Sequence, residues 1–178
     1  MIGQFPDIFT AAALRNPVIS VGEISTSDIP DWGYAEFGLQ YPVPIASSPP
    51  TISHSSSQSD GVVSSENATA TPLGMVPEIY QKLYNASPLR FADKVTADVL
   101  LLIGKDDLRV APTQGYGYYH TLKALRNGKG TAKGGSRVDM LVFDGESHPL
   151  NGVECERVCW EAARAWFLES TGEKGNSE

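Results

Sequence analysis

The sequence predicts an α/β fold with a mostly parallel sheet. Two apolar runs, residues 99–103 and 138–143, have the length and composition of strands buried within such a sheet. A segment with helical spacing of apolar residues separates the two runs, and another such segment follows the second run. Because parallel neighbours need a crossover connection, usually a helix, this alternation favours parallel strands with helices packed on the sheet.

The remaining elements follow from apolar spacing and from the positions of proline. Residues 11–15 predict a short buried strand, and Pro17 predicts an extended segment after it. Residues 78–84 have the apolar spacing of a short amphipathic helix. Pro112 suits the first position of the next helix, and a last helix is predicted over residues 152–168. With only three strands visible, the pattern favours part of a larger fold.

Residues 46–72 differ in composition from the rest of the chain. Nine of these 27 residues are Ser, and the segment contains no Lys, no Arg and no aromatic residue. Such a segment cannot bury enough apolar surface to offset the entropy lost on ordering. We therefore predict a disordered insertion here, and a frayed tail at residues 170–178.

Composition limits the class of protein. A length of 178 residues fits one domain, and residues 1–178 are predicted to form part of a single domain. The net charge of −7 argues against nucleic acid or an anionic membrane as partner. No apolar run approaches the roughly 20 residues of a membrane-spanning helix, and no signal peptide is visible. Cys155 and Cys159 are four residues apart on a predicted helix, where free thiols are expected. Together these features predict a cytoplasmic location.

Each of the two apolar runs is followed by polar, titratable residues. Asp106 and Asp107 come just after the first run, and His148 comes just after the second. In open α/β sheets, ligands bind at the edge formed by the carboxyl ends of the strands. An acid after one strand and a His after the next, in that chain order, is the second half of the Ser…Asp…His triad of an α/β hydrolase.

The first half of such a triad is not found. The nucleophile pattern Gly-x-Ser-x-Gly does not occur in the 178 residues. An acid and a base without a nucleophile or oxyanion donors have little to act on, so we expect this chain alone to be inactive. Ser20, Ser25 and Ser147 are the serines near the predicted site. We expect the chain to be the C-terminal part of a longer catalytic domain.

Several blocks of the sequence resemble, in order, the acylaminoacyl peptidases of the prolyl oligopeptidase family. The resemblance covers nearly the whole chain except residues 42–74 and 127–136. The blocks are Ala-Ala-Ala-Leu-Arg-Asn-Pro-Val at 11–18, Asp-Ile-Pro-Asp-Trp at 28–32, Leu-Leu-Leu-Ile-Gly-Lys-Asp-Asp-Leu-Arg-Val at 100–110, and Phe-Asp-Gly-Glu-Ser-His at 143–148.

The resemblance implies the C-terminal part of an α/β-hydrolase fold, with three layers and a mostly parallel sheet. It implies that Asp107 is the triad acid and that His148 is the triad base. It further implies that the nucleophile, the oxyanion hole and an N-terminal β-propeller are supplied from outside this sequence. The intact enzyme is expected to act on N-acylated peptides, to need no metal or other cofactor, and to form a homo-oligomer.

Two functions of other classes stay open. A non-catalytic α/β binding or regulatory module, derived from a hydrolase, is favoured by the missing nucleophile pattern. A metal or phosphate site at Asp106, Asp107 and His148 needs further carboxylates at other strand ends, and the sequence offers no candidates. An Asp-Asp pair after a strand is also common as a helix cap or turn. Trp32 and Phe37 are candidates either for core packing or for the wall of a substrate pocket.

Overall fold

A computed structural model describes residues 1–26, 28–39, 77–127 and 136–172. Within these residues the chain forms three strands, β1 (Ala11–Arg15), β2 (Asp98–Gly104) and β3 (Val138–Phe143). Four α-helices accompany them: α1 (Trp32–Glu36), α2 (Pro77–Ala86), α3 (Pro112–Asn127) and α4 (Val153–Thr171). Two 3-10 helices cover Val21–Thr26 and Pro88–Lys94. The Ser-rich segment predicted as a disordered insertion, residues 46–72, lies outside the described residues.

The three strands form one parallel sheet in the order β1-β2-β3. Ala11 pairs with Asp98, and Val99 pairs with Val138. The sheet confirms the predicted α/β class with parallel strands. Because all three strands run the same way, their carboxyl ends meet at one edge, where the connecting loops can come together.

Helices cover both faces of the sheet. Val99, Leu101 and Ile103 on one face of β2 belong to a buried cluster that includes side chains of α3. Leu100 and Leu102 on the other face belong to a second buried cluster, which includes side chains of α4. The alternation of side chains along a strand sends successive residues to opposite faces, so a central strand with a helix on each side must be apolar throughout.

The prediction of buried strands is right for β2 and wrong for most of the other two strands. Every residue of β2 after Asp98 is buried, whereas Leu141 and Val142 of β3 are 36% and 42% exposed. β1 is half-buried over its first four residues. In the described part of the chain, β1 and β3 each pair with β2 alone, and α4 packs mainly on β1 and β2. The flanking strands are therefore covered less completely than the central one.

The two cysteines lie on the face of α4 that packs against the sheet. Both are buried and free, with their Sγ atoms 3.9 Å apart, as predicted from their spacing. Burial, together with the neighbouring Cys159 thiol, raises the pKa of Cys155 to about 12. The Cys155 thiol therefore stays protonated at neutral pH and packs as an apolar group.

The last helix runs further than its apolar spacing predicts. α4 includes Ser170 and Thr171, and Gly172 ends it with a left-handed φ of 74°. The Ser170 hydroxyl donates a hydrogen bond of 2.9 Å to the Asp98 carboxylate at the start of β2. A glycine that adopts positive φ is a common helix stop, and it places the end of α4 beyond residue 168. The rest of the predicted frayed tail, residues 173–178, lies outside the described residues.

The short helices carry no clear signal in the sequence. α1 and the two 3-10 helices are only five to seven residues long, too short to show a helical period. The longer helices α2, α3 and α4 all lie where spacing and Pro112 predict them. None of the helices in the described ranges is both long enough and apolar enough to cross a membrane.

Candidate active site

The loops that follow β2 and β3 bring Asp107 and His148 into contact. Asp107 Oδ2 lies 2.8 Å from His148 Nδ1. The Asp107 side chain is fully buried, whereas the His148 side chain is 37% exposed. The carboxylate thus lies inside the protein, and the imidazole lies between the carboxylate and the surface. The two residues predicted from the order of the strand-end loops are therefore neighbours in the structure.

The second oxygen of Asp107 is held by its own loop. Asp107 Oδ1 accepts hydrogen bonds from the backbone N–H of Arg109 at 2.8 Å and of Val110 at 2.9 Å. This is the capping interaction that an Asp after a strand commonly makes. The Asp107 carboxylate therefore has both of the roles predicted for the Asp-Asp pair: Oδ1 caps the turn, and Oδ2 contacts His148.

Asp106 has a different position. It is exposed, and its backbone N–H donates a 2.9 Å hydrogen bond to the carbonyl of Glu146. Asp106 therefore joins the β2 loop to the β3 loop through its backbone, and the carboxylate that contacts the His148 ring is that of Asp107, not that of Asp106. The ranges that the structure describes contain no group of three or more His, Cys, Asp or Glu side chains that could hold a metal ion.

The two loops approach closely because β2 ends in a glycine. A Cβ atom at Gly104 would lie 2.6 Å from the carbonyl oxygen of Glu146 and 2.7 Å from that of Ser147. Real Cβ atoms essentially never come this close to another heavy atom. Gly104 is therefore required for the loop that carries His148 to rest against the end of β2. No local sequence pattern predicts this contact, because Gly104 and the residues it contacts are about 40 residues apart in the sequence.

An apolar pocket opens beside the imidazole. Its volume is about 230 Å³, somewhat below the roughly 300–1,000 Å³ of typical small-molecule sites, so it has room for one side chain rather than a whole ligand. Trp32 lies in its wall, as the pocket interpretation of this aromatic residue expects, while Phe37 does not line it. The lining residues are Val18, Ile29, Trp32, Arg109, Val110 and His148.

One wall of the pocket is fixed by an ion pair. The Arg109 guanidinium donates to both carboxylate oxygens of Asp28, at 3.3 Å from Nε and 3.1 Å from Nη2. This hydrogen bonding, reinforced by the charge of Asp28, raises the pKa of Arg109 above its usual value. The Asp28 N–H also donates to the Leu108 carbonyl at 3.0 Å. The segment before α1 is thus tied to the loop that carries Asp107.

Comparison with known proteins assigns the family. A family model described as the prolyl oligopeptidase family matches residues 58–174. The chain belongs to the prolyl oligopeptidase family. This confirms the resemblance carried by the sequence blocks, and with it the C-terminal part of an α/β-hydrolase fold as the fold class.

Curated relatives in this family share a name. The mouse acylamino-acid-releasing enzyme is 32% identical over 173 residues, which cover 97% of this chain and 19% of the mouse protein. The acylamino-acid-releasing enzyme of Arabidopsis thaliana is 29% identical over 169 residues, which cover 94% of this chain and 17% of that protein. The chain therefore spans about a fifth of the length of the curated relatives that it matches.

Solved structures of family members share the fold. The Pyrococcus horikoshii acylaminoacyl peptidase superposes with a TM-score of 0.56 at 20% identity, covering 97% of this chain and 22% of that chain. A puromycin-hydrolyzing peptidase of Mycobacterium tuberculosis superposes with a TM-score of 0.59 at 22% identity, covering 96% of this chain and 20% of that chain. These likenesses show that the sheet and helices described above are arranged as in prolyl oligopeptidase-family hydrolases.

Replacing Gly104 with alanine is expected to disturb the active-site loops. Gly104→Ala places a methyl group against two backbone carbonyls, so the free energy of unfolding should fall by about 1–3 kcal/mol. The matched control is Gly117→Ala, because Gly117 lies within α3 and has nothing within 4 Å of its added Cβ. Alanine should raise stability there by about 0.5–1 kcal/mol. Urea denaturation measures both changes, and equal effects would contradict the close approach at Gly104.

Proposed function

We propose that this chain supplies the acid and the base of a serine peptidase that releases N-acylated amino acids from the N-termini of peptides. Asp107 is the triad acid and His148 is the triad base. The observation that carries the proposal is the 2.8 Å contact between Asp107 Oδ2 and His148 Nδ1 at the carboxyl edge of a parallel sheet. The curated relatives are named acylamino-acid-releasing enzymes, which supports this substrate class.

The geometry suits a different catalytic role for each of the two side chains. With Nδ1 donating to the buried Asp107 carboxylate, the other ring nitrogen, Nε2, is left as the proton acceptor. His148 Nε2 would take the proton of the nucleophilic serine and later give it to the leaving amine. Asp107 would keep the ring in the required tautomer and stabilise its charged form. General acid–base catalysis of this kind contributes roughly 10²–10⁴-fold to a rate.

The nucleophile is proposed to come from outside these 178 residues. They contain no Gly-x-Ser-x-Gly pattern, which in α/β hydrolases places the nucleophilic serine on a strand-to-helix turn. Ser20 is buried, with 3% of its surface exposed, and is a poor candidate. We therefore infer that this chain does not hydrolyse peptides alone, and that the rest of the catalytic domain and a β-propeller complete the enzyme.

The pocket beside His148 is proposed to hold an apolar side chain of the substrate. The base must lie within hydrogen-bond reach of the reacting groups, so a pocket next to it receives a residue adjacent to the scissile bond. Its wall is largely apolar, with Val18, Ile29, Trp32 and Val110 among the lining residues.

A cytoplasmic location and assembly into a homo-oligomer stay predictions for the intact enzyme.

The absence of an activated serine can be tested by covalent labelling. A fluorophosphonate probe, which reacts with activated serines, is expected to leave the 178-residue chain unmodified when its intact mass is measured. The reason is that the chain lacks the Gly-x-Ser-x-Gly pattern in which the activated serine of an α/β hydrolase lies. The His148→Gln variant is the control for background labelling. A stoichiometric adduct that disappears in His148→Gln would show that the chain contains its own nucleophile, against the proposal.

The role of the pocket can be tested by ligand titration. N-acetyl-phenylalaninamide should bind with a roughly millimolar Kd, since ligands gain about 0.3 kcal/mol per heavy atom or more, and should shift the His148 ring resonances. Trp32→Ala should weaken this binding, because Trp32 lines the pocket. Trp160→Ala is the matched control, since Trp160 is 73% exposed on α4 and does not line the pocket. Equal weakening by both variants would argue against the proposed subsite.

A further inference from the structure

We infer that Asn16, assisted by Arg15, is a positioning residue that holds the backbone of His148 in the place that its pairing with Asp107 requires. The inference rests on the proposed roles of Asp107 and His148. The side chains of Asn16 and Arg15 donate their hydrogen bonds to backbone carbonyls and not to the side chains of Asp107 and His148. They act at the carboxyl end of β1, on the backbone of the loop that carries the imidazole.

The Asn16 side chain connects the two loops of the site. Its Nδ2 donates to the carbonyl oxygen of His148 at 2.8 Å and to that of Ser147 at 3.3 Å. Its Oδ1 accepts the N–H of Gly104 at 2.8 Å, at the point where β2 gives way to the Asp107 loop. One amide group thus holds the end of β2 and the backbone of His148 at a fixed separation.

Arg15 extends this contact along the same loop. Its Nη2 donates to the carbonyl oxygens of Pro149 at 3.0 Å and of Leu150 at 2.9 Å. Leu150 is fully buried and has a left-handed φ of 50°. Arg15, the last residue of β1, and Asn16, which follows it, therefore bind four consecutive carbonyls, those of residues 147–150. The backbone is fixed at His148 and on both sides of it.

The chemistry of this position favours asparagine. Asn16 is 5% exposed and has a φ of 38°, a left-handed conformation that asparagine tolerates better than most residues. Its amide is used on both sides, as a donor to carbonyls and as an acceptor from an N–H. An aspartate would keep the acceptor but turn a charged oxygen towards the carbonyl of His148. A glycine would keep the backbone conformation and lose every side-chain hydrogen bond.

The consequence for the reaction is geometric. Catalytic groups must be held within about 0.5 Å of their working positions by surrounding hydrogen bonds and packing. The Asp107 carboxylate is fixed by its own loop, so the separation between Asp107 and His148 depends on where the His148 backbone lies. Asn16 fixes that backbone relative to Gly104, three residues before Asp107. Loss of the amide should therefore loosen the contact between the two side chains.

The test follows the Nδ1 proton of His148 by NMR in the 178-residue chain. Its resonance is assigned by its loss in His148→Gln, and its rate of exchange with solvent reports how well the Asp107 contact is held. In Asn16→Gly the exchange should become faster by about tenfold, since two hydrogen bonds to the loop are lost. Asn151→Gly is the matched control, because Asn151 is an exposed asparagine in the same loop, three residues after His148, and there the rate should not change.

Two further measurements separate positioning from general stability. Exchange of the Leu101 amide in the centre of β2 should stay constant in Asn16→Gly, since a local change leaves the core intact. Asn16→Asp, which keeps the acceptor for Gly104, should also speed exchange of the Nδ1 proton. Unchanged exchange in both Asn16 variants overturns the inference, as does equal acceleration at Leu101. A wild-type chain with no hydrogen-bonded Nδ1 proton at His148 overturns the proposed pair itself, and with it this inference.

Discussion

The burial of the Asp107 carboxylate constrains the rest of the site. An ionised carboxylate removed from water is costly unless hydrogen bonds satisfy its oxygens. The Asp107 side chain is fully buried, and two backbone N–H groups and the imidazole of His148 surround it. The loop after β2 must therefore turn back on itself, and the loop after β3 must approach closely enough to bring the imidazole into contact.

The parallel sheet makes that approach possible. β1, β2 and β3 end at one edge, so residues 16, 107 and 148 are neighbours in space although they are far apart in the sequence. The central strand is buried on both faces and gives the loops a rigid base. At its end, Gly104 leaves room for the β3 loop, and Asn16 ties that loop to the strand. Fold and site thus depend on the same strand ends.

The sequence predicts the strands and the longer helices, but it does not predict the contacts between loops that hold the candidate site together. β2 is recognisable as a strand because a run of five apolar residues is typical of strands in parallel sheets. The candidate residues Asp107 and His148 follow from strand order and family resemblance. The contacts of Gly104 and Asn16 give no local pattern, because each joins segments far apart in the chain. The exposure of Leu141 could not be foreseen either, since an apolar run does not reveal which strand is at the edge.

The most direct test of the central claim is the tautomer of His148, read from the ring nitrogen chemical shifts in the isotope-labelled chain while the ring is neutral. If Asp107 and His148 are the acid and base of a triad, the proton of the neutral ring lies on Nδ1 and Nε2 is free to accept another. The Asp107→Asn variant should then lose this preference for the Nδ1 tautomer, whereas the Asp106→Asn variant should keep it. A wild-type ring with its proton on Nε2 would contradict the claim, because Nδ1 could not then donate to Asp107 and the base would face the substrate already protonated.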